Sequence, residues 1–377
     1  MHPFESAGRR LLSAAVRNIV RLPRKLSAPA AQLLTEIPTL LANESGLAAT
    51  TSYWPPGLAE NFGAYAPKFS LGILIQGPIS TKSALVQVIE TANQYRRLFG
   101  DIHLVVSTWR SSEGLIQNSL LGDLADVVFS EDPGPSFPTN LYRQTVSTYA
   151  GLCRLRGQGV EYALKTRTDH RVTSSQALAY LEYLWTRQPN DARIVVSSYG
   201  SGKFRLYGWT EQLQFAKVDA LIKFWTGNPI ETMHSVALAD QRASRLAKLG
   251  LAVHETRMNV RYLNSLGIEA KWTWPDHLEI LNAVFGIADS YTLKHVQLGR
   301  HTSVLDHVYP WNSPGVNKIE QHTSAADWLL SLAGYADASS PSHEELTAAM
   351  KVPSSDLTKL NALFVEAGAK ETSNVPD

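Results

Sequence analysis

Short apolar runs alternate with amphipathic segments between residues 69 and 198. The apolar runs have the length of strands and lie at 69–76, 102–107, 126–130, 162–166 and 193–198. The segments between them predict helices near 85–99, 113–121, 142–153 and 174–187. Strands rich in Val, Ile and Leu that alternate with helices indicate a parallel sheet covered on both faces. The sequence therefore predicts an α/β fold, with a mostly parallel, Rossmann-like sheet flanked by helices.

The sequence outside this pattern divides the chain into three parts. Residues 1–66 are predicted to be a basic amphipathic segment and a connector, 67–310 the α/β domain, and 311–377 a helical tail. In the tail, Ser342 and Glu345 have the spacing of a capping box at the start of a helix. The fold is thus expected to carry helical N- and C-terminal additions.

Composition narrows the class of protein. Apolar residues make up 44% and charged residues 18% of the 377 residues, which excludes disorder over most of the chain. The formal net charge of +1 argues against a nucleic-acid partner. Cys153 is the one cysteine, so an intrachain disulfide and a Cys-based zinc site are excluded and a reducing compartment is favoured. No apolar run reaches the length of about 18 residues that a membrane-spanning helix needs.

The positive charge is concentrated at the N-terminus. Residues 1–25 contain six basic residues and one acidic residue, and a helical wheel puts Arg10, Arg17 and Arg21 on one side. Such a segment is typical of helices that lie on an anionic membrane surface, although a solvated surface helix is the alternative. We therefore expect a cytoplasmic protein, either free or peripheral on the inner face of the cytoplasmic membrane.

Polar residues follow four of the five predicted strands. These strand ends are Gln76–Ser80, Ser107–Arg110, Ser130–Gly134 and Arg167–Arg171. Ligands of open parallel sheets bind outside the carboxyl ends of the strands, so these segments predict a binding site. Their glycine spacing does not fit G-x-G-x-x-G, which argues against a nicotinamide or flavin dinucleotide site.

The first and third strand ends are suited to a phosphate ligand. Gly77 would let a ligand approach the backbone, and Ser80 or Thr81 would cap the next helix, whose N-terminus favours an anion. Asn140 and Arg143 share one face near the start of another helix, and Arg143 can bind a diphosphate or carboxylate with two parallel hydrogen bonds. An ordinary turn and a solvated helix face are the structural alternatives.

The fourth strand end combines an acid with basic side chains. Asp169 could hold a divalent cation that bridges two phosphates. Alternatively, Lys165, Arg167 and Arg171 could neutralise a diphosphate leaving group directly. An ion-pair network that closes the strand end is the structural alternative.

Two later segments offer weaker candidates. The glycine-rich segment 199–204 does not match a phosphate-binding loop, so we interpret it as a mobile loop near the substrate. His295, His301 and His307 occur close together, and any one of them could complete a metal site.

Glu255 is the candidate general base. It lies at the predicted start of a helix, where the helix dipole stabilises an acid. It could accept a proton or orient a substrate, or it could simply start the helix, and Asp240 is a rival candidate.

Several segments in order resemble the WavE-type lipopolysaccharide-synthesis family of bacterial glycosyltransferase-like proteins. They are IQGPI at 75–79, LVVSTW at 104–109, ADVVFSEDPG at 125–134, NLYRQTVSTYAGL at 140–152 and ALKTRTDHRV at 163–172. Weaker similarity at 206–215, 254–263 and 296–310 extends the resemblance over roughly residues 68–310. It implies a GT-A-like fold and transfer of a sugar from a nucleotide-sugar donor to a glycan or lipid-linked acceptor of lipopolysaccharide or surface polysaccharide.

The resemblance also implies roles for individual residues. Gln76, Gly77 and Pro78 would line the nucleotide pocket, and Thr108, Trp109 and Asp132 would flank the base or ribose. Asn140, Arg143, Lys165, Arg167 and Asp169 would face the diphosphate and the sugar. Many GT-A enzymes carry Asp-x-Asp after the fourth strand, whereas this chain has Arg167-Thr168-Asp169 there. A requirement for Mg²⁺ or Mn²⁺ is therefore left open.

Two other functions are compatible with the same sequence. One is a sugar-phosphate nucleotidyltransferase or another phosphate-transfer enzyme, although such enzymes need more acidic metal ligands. The other is a non-catalytic protein that binds glycan or assembles a polysaccharide-synthesis complex.

Overall fold

The computed structural model describes residues 69–134, 140–226, 245–297, 323–334 and 341–349. The basic segment at 1–25 lies outside these residues, as do Asp240, His301 and His307.

The described residues form nine strands and twelve helices, with a 3₁₀ turn at Arg110–Ser112. The strands are β1 Leu71–Gln76, β2 His103–Trp109, β3 Asp126–Ser130, β4 Tyr162–Arg167, β5 His170–Val172, β6 Ile194–Ser197, β7 Gln214–Lys217, β8 Phe285–Ala288 and β9 His295–Gln297. The helices are α1 Lys82–Phe99, α2 Glu113–Ile116, α3 Leu121–Leu124, α4 Leu141–Gly157, α5 Ala177–Thr186, α6 Val218–Trp225, α7 Arg245–Ala252, α8 His254–Ser265, α9 Trp274–Val284, α10 Ser290–Leu293, α11 Ala325–Leu332 and α12 His343–Ala349.

Seven strands form one mixed sheet in the order β3-β2-β1-β4-β7-β6-β8. The pairs of β1 with β2 and β4, β2 with β3, and β6 with β8 are parallel. Strand β7 runs antiparallel to both of its neighbours, β4 and β6. The predicted α/β architecture, with a mostly parallel sheet flanked by helices, is confirmed.

The first half of the sheet follows the sequence pattern closely. Every residue of β1 is buried, as expected for a strand covered on both faces. Thr81 caps α1 by accepting a hydrogen bond from the Ala84 amide at 3.1 Å. Helix α4 lies close against the sheet, since a Cβ on Gly151 would come within 2.4 Å of the Leu74 side chain. The carboxyl ends of β1 to β4 therefore lie side by side.

The second half of the sheet departs from the expectation of uniform βα units. Strands β7 and β8 lie in the main sheet, and β5 pairs with β9 in a separate two-stranded sheet. The helix expected near 113–121 is two short helices, α2 and α3.

The interpretation of 199–204 as a mobile loop is not supported, because Ser201 is fully buried and Phe204 nearly so. Within the described residues, every helix is too short or too polar to cross a lipid bilayer.

Of the two C-terminal helices, α11 packs onto this sheet and α12 contacts α7. Helix α11 contacts α9 and β8, and its Trp328 is completely buried. Ser342 and Glu345 exchange the two hydrogen bonds of the predicted capping box at the start of α12. At least part of the tail therefore completes the core.

Candidate active site

A cleft of about 470 Å³ lies at the carboxyl ends of β1, β2, β3 and β4. Nine of the predicted site residues line this strand-end cleft. They are Gln76, Gly77, Pro78, Trp109, Asp132, Asn140, Arg143, Arg167 and Asp169. The position agrees with the expectation for ligand sites of parallel sheets.

The end of β1 forms one wall and is tied to β4. The side-chain amide of Gln76 donates to the Ser147 hydroxyl at 2.8 Å, and the Thr168 amide donates to the Gln76 carbonyl at 2.9 Å. Gly77 has a φ of +145°, and a Cβ there would lie 2.5 Å from the Thr168 hydroxyl. The absence of a side chain at Gly77 makes room for Thr168, and the expected approach of a ligand to its backbone stays a prediction.

Two helix N-termini face the strand-end cleft. Ala84 of the first turn of α1 lines it, as does Asn140, which directly precedes α4. Asn140 makes no side-chain capping bond, and the first turn of α4 contains no acid. The helix dipole favours an anion at such positions, although the Ala84 amide is already bonded to the Thr81 side chain.

Arg143 is held in the cleft by Asp132. Its Nε donates to Oδ1 of Asp132 and its Nη2 to Oδ2, both at 2.7 Å. The hydrogen bonds from Arg143 lower the pKa of the Asp132 carboxyl. A guanidinium carries five N–H donors, so those not used in this pair are available to a ligand.

Arg167 and Asp169 form a second pair of the same kind. The Nε of Arg167 donates to Oδ1 of Asp169 at 2.8 Å, and its Nη2 donates to Oδ2 at 3.1 Å. Burial alone would lower the pKa of Arg167, but the bond to Asp169 outweighs it and raises the pKa. Strand β4 thus presents an oriented, permanently charged guanidinium at the cleft.

The cleft is less basic than the sequence suggests. Its charged lining residues are Asp132, Arg143, Arg167 and Asp169, so the two pairs cancel in formal charge. The arrangement suits a bound anion through directed N–H donors rather than through excess positive charge.

Four predicted site residues lie outside the cleft lining: Thr108, Lys165, Arg171 and Glu255, the last of which is described below. Lys165 is two residues before the end of β4 and completely buried, where its Nζ donates to the Glu211 carbonyl at 2.7 Å. Burial lowers the pKa of Lys165 to about 7.

Arg171 and Thr108 also contact protein groups rather than the cleft. Arg171 donates to the Thr91 hydroxyl and the Gln87 carbonyl of α1, and Thr108 is fully buried beside Trp109. Thr108 does not reach the cleft because successive side chains of a strand point to opposite faces, and it is Trp109 that points toward the cleft.

The environment of Asp169 does not fit a metal ligand set. Both of its carboxylate oxygens accept hydrogen bonds from Arg167, and position 167 offers a guanidinium where Asp-x-Asp enzymes have an acid. His295, one of the histidines considered as a further metal ligand, does not complete a site with Asp169 either. Its Nε2 lies in the interior, 2.8 Å from the His170 Nδ1. The role of Asp169 as a metal ligand stays a prediction that this geometry does not favour.

Glu255 lies at the start of α8, as expected, but beside a different set of groups. Its Oε1 is 3.1 Å from the His254 Nε2, and the Oε1 of Glu211 is 4.0 Å from the same nitrogen. Burial would raise the pKa of Glu255, but His254 outweighs it and lowers the pKa. Glu211 shortly precedes β7, which is antiparallel to β4, so the Glu211–His254–Glu255 cluster lies near the carboxyl end of β4.

Several residues at or near the site were not predicted from the sequence. Gln87 and Ser111 line the cleft although neither lies directly at a strand end. Glu211 was missed because β7 was not predicted, so nothing in the sequence associated this residue with the end of β4. A period-two pattern at 213–217 would have been the only available signal.

The fold is that of an α/β protein with a cleft at the carboxyl ends of four parallel strands. The family model for WavE lipopolysaccharide synthesis matches residues 71–272, which is more than half of the chain. The chain belongs to this family, and membership supports a role in polysaccharide synthesis. No curated protein sequence matches the chain.

Solved structures give only distant similarity. A 4-diphosphocytidyl-2C-methyl-D-erythritol synthase from Anaerococcus prevotii is 9% identical, covers 63% of this chain and 96% of its own, and has a TM-score of 0.35. A cytidylyltransferase from Leptospira borgpetersenii is 12% identical, covers 46% and 72%, and has a TM-score of 0.30. A Thermus thermophilus protein described as mannose-1-phosphate geranyltransferase is 10% identical, covers 53% and 68%, and has a TM-score of 0.29. Similarity at this level carries no argument about function.

Proposed function

We propose that this protein is a glycosyltransferase that transfers a sugar from a nucleotide-sugar donor to a lipopolysaccharide or surface-polysaccharide acceptor. The observation that carries the proposal is the pair of arginines, Arg143 and Arg167, each oriented by an aspartate in one cleft at the strand ends. Family membership supports the choice of pathway, and the cleft supports a phosphate-bearing donor.

In this proposal the donor diphosphate binds between Arg143 and Arg167 and near the N-termini of α1 and α4. Donors fixed in this way stabilise the negative charge that develops on the leaving diphosphate. Gln76, Gly77, Pro78 and Trp109 would contact the nucleoside. Lys165 and Arg171 have a positioning role beneath the cleft, because their side chains bond to protein groups.

The acceptor would approach from the side of β7 and α8. Glu255 is our candidate for the group that assists loss of the acceptor's proton, since it lies near the same strand end as Arg167. Its low pKa makes it a weak proton acceptor by itself, so we expect the neighbouring groups of the cluster to contribute.

A thermal-shift screen with nucleoside diphosphates and nucleotide sugars, with and without Mn²⁺, tests donor binding. A ligand that binds the native state raises the melting temperature, so at least one nucleotide sugar should do so. No shift with any nucleotide or nucleotide sugar would contradict the proposal and favour a non-catalytic assembly protein.

A transfer assay tests the chemistry. With the donor found in the screen, Asp169→Ala should lower sugar transfer because Arg167 loses its orientation. Unchanged transfer would show that the proposed centre is misplaced. In a separate reaction with a nucleoside triphosphate and a sugar 1-phosphate, formation of a nucleotide sugar with release of pyrophosphate would instead identify a nucleotidyltransferase.

A further inference from the structure

The Glu211–His254–Glu255 cluster has the composition of a metal-ligand set. Each residue offers one ligand atom, and these atoms lie within 4.8 Å of one another. Ligand bonds of about 2.0–2.2 Å place the donor atoms of one ion about 3 to 4 Å apart. One imidazole and two carboxylates can therefore converge on one cation with small side-chain adjustments.

A second observation concerns Glu211 by itself. Its side chain is only 2% exposed, and its Oε2 has no hydrogen-bond donor in the described part of the chain. A buried carboxylate oxygen without a partner is costly. A cation at this position would supply the missing partner.

The surrounding charges affect how tightly a cation binds, and the imidazole ligand affects which cation binds. Arg205 and Arg257 are near enough to Glu255 to influence it electrostatically, and Lys165 lies against the Glu211 backbone. These positive groups weaken binding of any cation. Mn²⁺ and Zn²⁺ accept an imidazole ligand more readily than Mg²⁺, which prefers an all-oxygen shell with several waters.

We propose that Glu211, His254 and Glu255 form a binding site for a divalent transition-metal ion such as Mn²⁺ or Zn²⁺, separate from Asp169. Binding of the ion does not depend on sugar transfer. If the proposed function holds, the ion lies on the acceptor side of β4, where a cation can lower the pKa of a bound hydroxyl.

Titration of the full-length chain with Mn²⁺, followed by electron paramagnetic resonance of the free ion, tests the site without any nucleotide. We expect the wild type to bind one Mn²⁺ at this site. Glu211→Gln removes one ligand and should raise the Kd by more than about tenfold. His254→Gln should do the same, and its side chain is 33% exposed, so this variant is expected to fold even if the buried Glu211 variant does not.

Asp169→Asn separates the two possible locations of the ion. We expect it to bind Mn²⁺ like the wild type. Failure of the wild type to bind Mn²⁺ would overturn the proposal. Loss of binding in Asp169→Asn, with binding retained in the Glu211 and His254 variants, would also overturn it. A negative nucleotide-sugar screen would leave this result unaffected, so the two proposals fail independently.

Discussion

At the residue scale, the arginines of the strand-end cleft are distinguished by their orientation. Arg143 and Arg167 are each fixed by two hydrogen bonds to an aspartate, and each keeps N–H donors for a ligand. A preoriented guanidinium loses less side-chain entropy when it binds a phosphate. The two arginines are therefore the residues whose removal tests the cleft most sharply.

Arg143→Ala should weaken binding of a nucleoside diphosphate about 10- to 100-fold, because a hydrogen bond to a charged group contributes about 1.5–3 kcal/mol. The matched control is Arg154→Ala, since Arg154 lies on the same helix and is also paired with an aspartate, Asp126. Calorimetric titration should show little change in the control. Equal losses in both variants would mean that the effect comes from the helix and not from the cleft.

Gly77→Ala should lower stability because the new methyl group meets the Thr168 hydroxyl and the backbone has a positive φ. Conformational strain of this kind costs about 1–3 kcal/mol. Gly100 also has a positive φ, of +69°, but nothing lies within 4 Å of its Cβ position. Urea unfolding should therefore show a smaller loss for Gly100→Ala, and a loss as large as that of Gly77→Ala would refute the steric account.

Lys165 makes stability depend on pH. Its pKa is about 7 in the folded protein, below its ordinary value in the unfolded chain. Between pH 7 and about 10 the unfolded chain binds the extra proton, so this residue makes stability rise with pH by up to about 1.4 kcal/mol per pH unit. The difference in unfolding free energy between wild type and Lys165→Met, measured from pH 7 to 9, should show this rise. A difference that is constant with pH would contradict it.

At the scale of elements, β4 connects the two halves of the site. Arg167 at its end faces the strand-end cleft, and the antiparallel strand β7 brings Glu211 to the same end. The strands β1 to β4 were predictable because each contains a short run of apolar residues between helical or turn segments. Strand β7 was not, because it is only four residues long and contains Gln214 and Lys217. Its place in the sheet depends on long-range pairing, which local patterns do not encode.

Which strand-end residues reach the cleft was only partly predictable. The sequence placed Lys165, Arg167 and Asp169 together, but Lys165 and Arg167 lie two positions apart on β4 and point to the same face. Their position along the strand is what leaves Lys165 buried and brings Arg167 to the cleft. The Arg167–Asp169 pair agrees with the ion-pair network that the sequence offered as the alternative at this strand end. The Arg143–Asp132 pair could not be read from the sequence, since the two residues are 11 positions apart.

Helix α11 should contribute strongly to the stability of the sheet. Trp328 is fully buried and its indole lies over Arg193 at 5.7 Å from the guanidinium carbon. Trp328→Ala should cost about 3–5 kcal/mol, as expected for removal of a buried aromatic side chain. Leu330 on the same helix is 52% exposed, so Leu330→Ala should change stability by less than about 0.5 kcal/mol. Similar melting temperatures for the Trp328 variant and the wild type would contradict this packing role.

At the scale of the whole molecule, charge is distributed differently from the initial expectation. The net charge of +1 conceals six basic residues within 1–25, but the strand-end cleft itself is balanced. We therefore expect any contact with an anionic membrane surface to be made by the N-terminal segment, which lies outside the described residues.

Deletion of residues 1–25 should reduce binding to vesicles that contain anionic lipid, because basic residues near such a surface contribute about 1 kcal/mol each. The deletion should leave nucleotide-sugar binding unchanged. Vesicle sedimentation at low and high salt checks the electrostatic origin. Unchanged sedimentation after the deletion would refute membrane attachment through this segment.

The central claim is that the strand-end cleft binds the diphosphate of a nucleotide sugar. A crystal structure of the protein with the nucleoside diphosphate found in the thermal-shift screen tests it most directly. We predict the diphosphate between Arg143 and Arg167, with the nucleoside along Gln76–Pro78 and Trp109. A diphosphate bound elsewhere, with neither arginine in contact, would contradict the account.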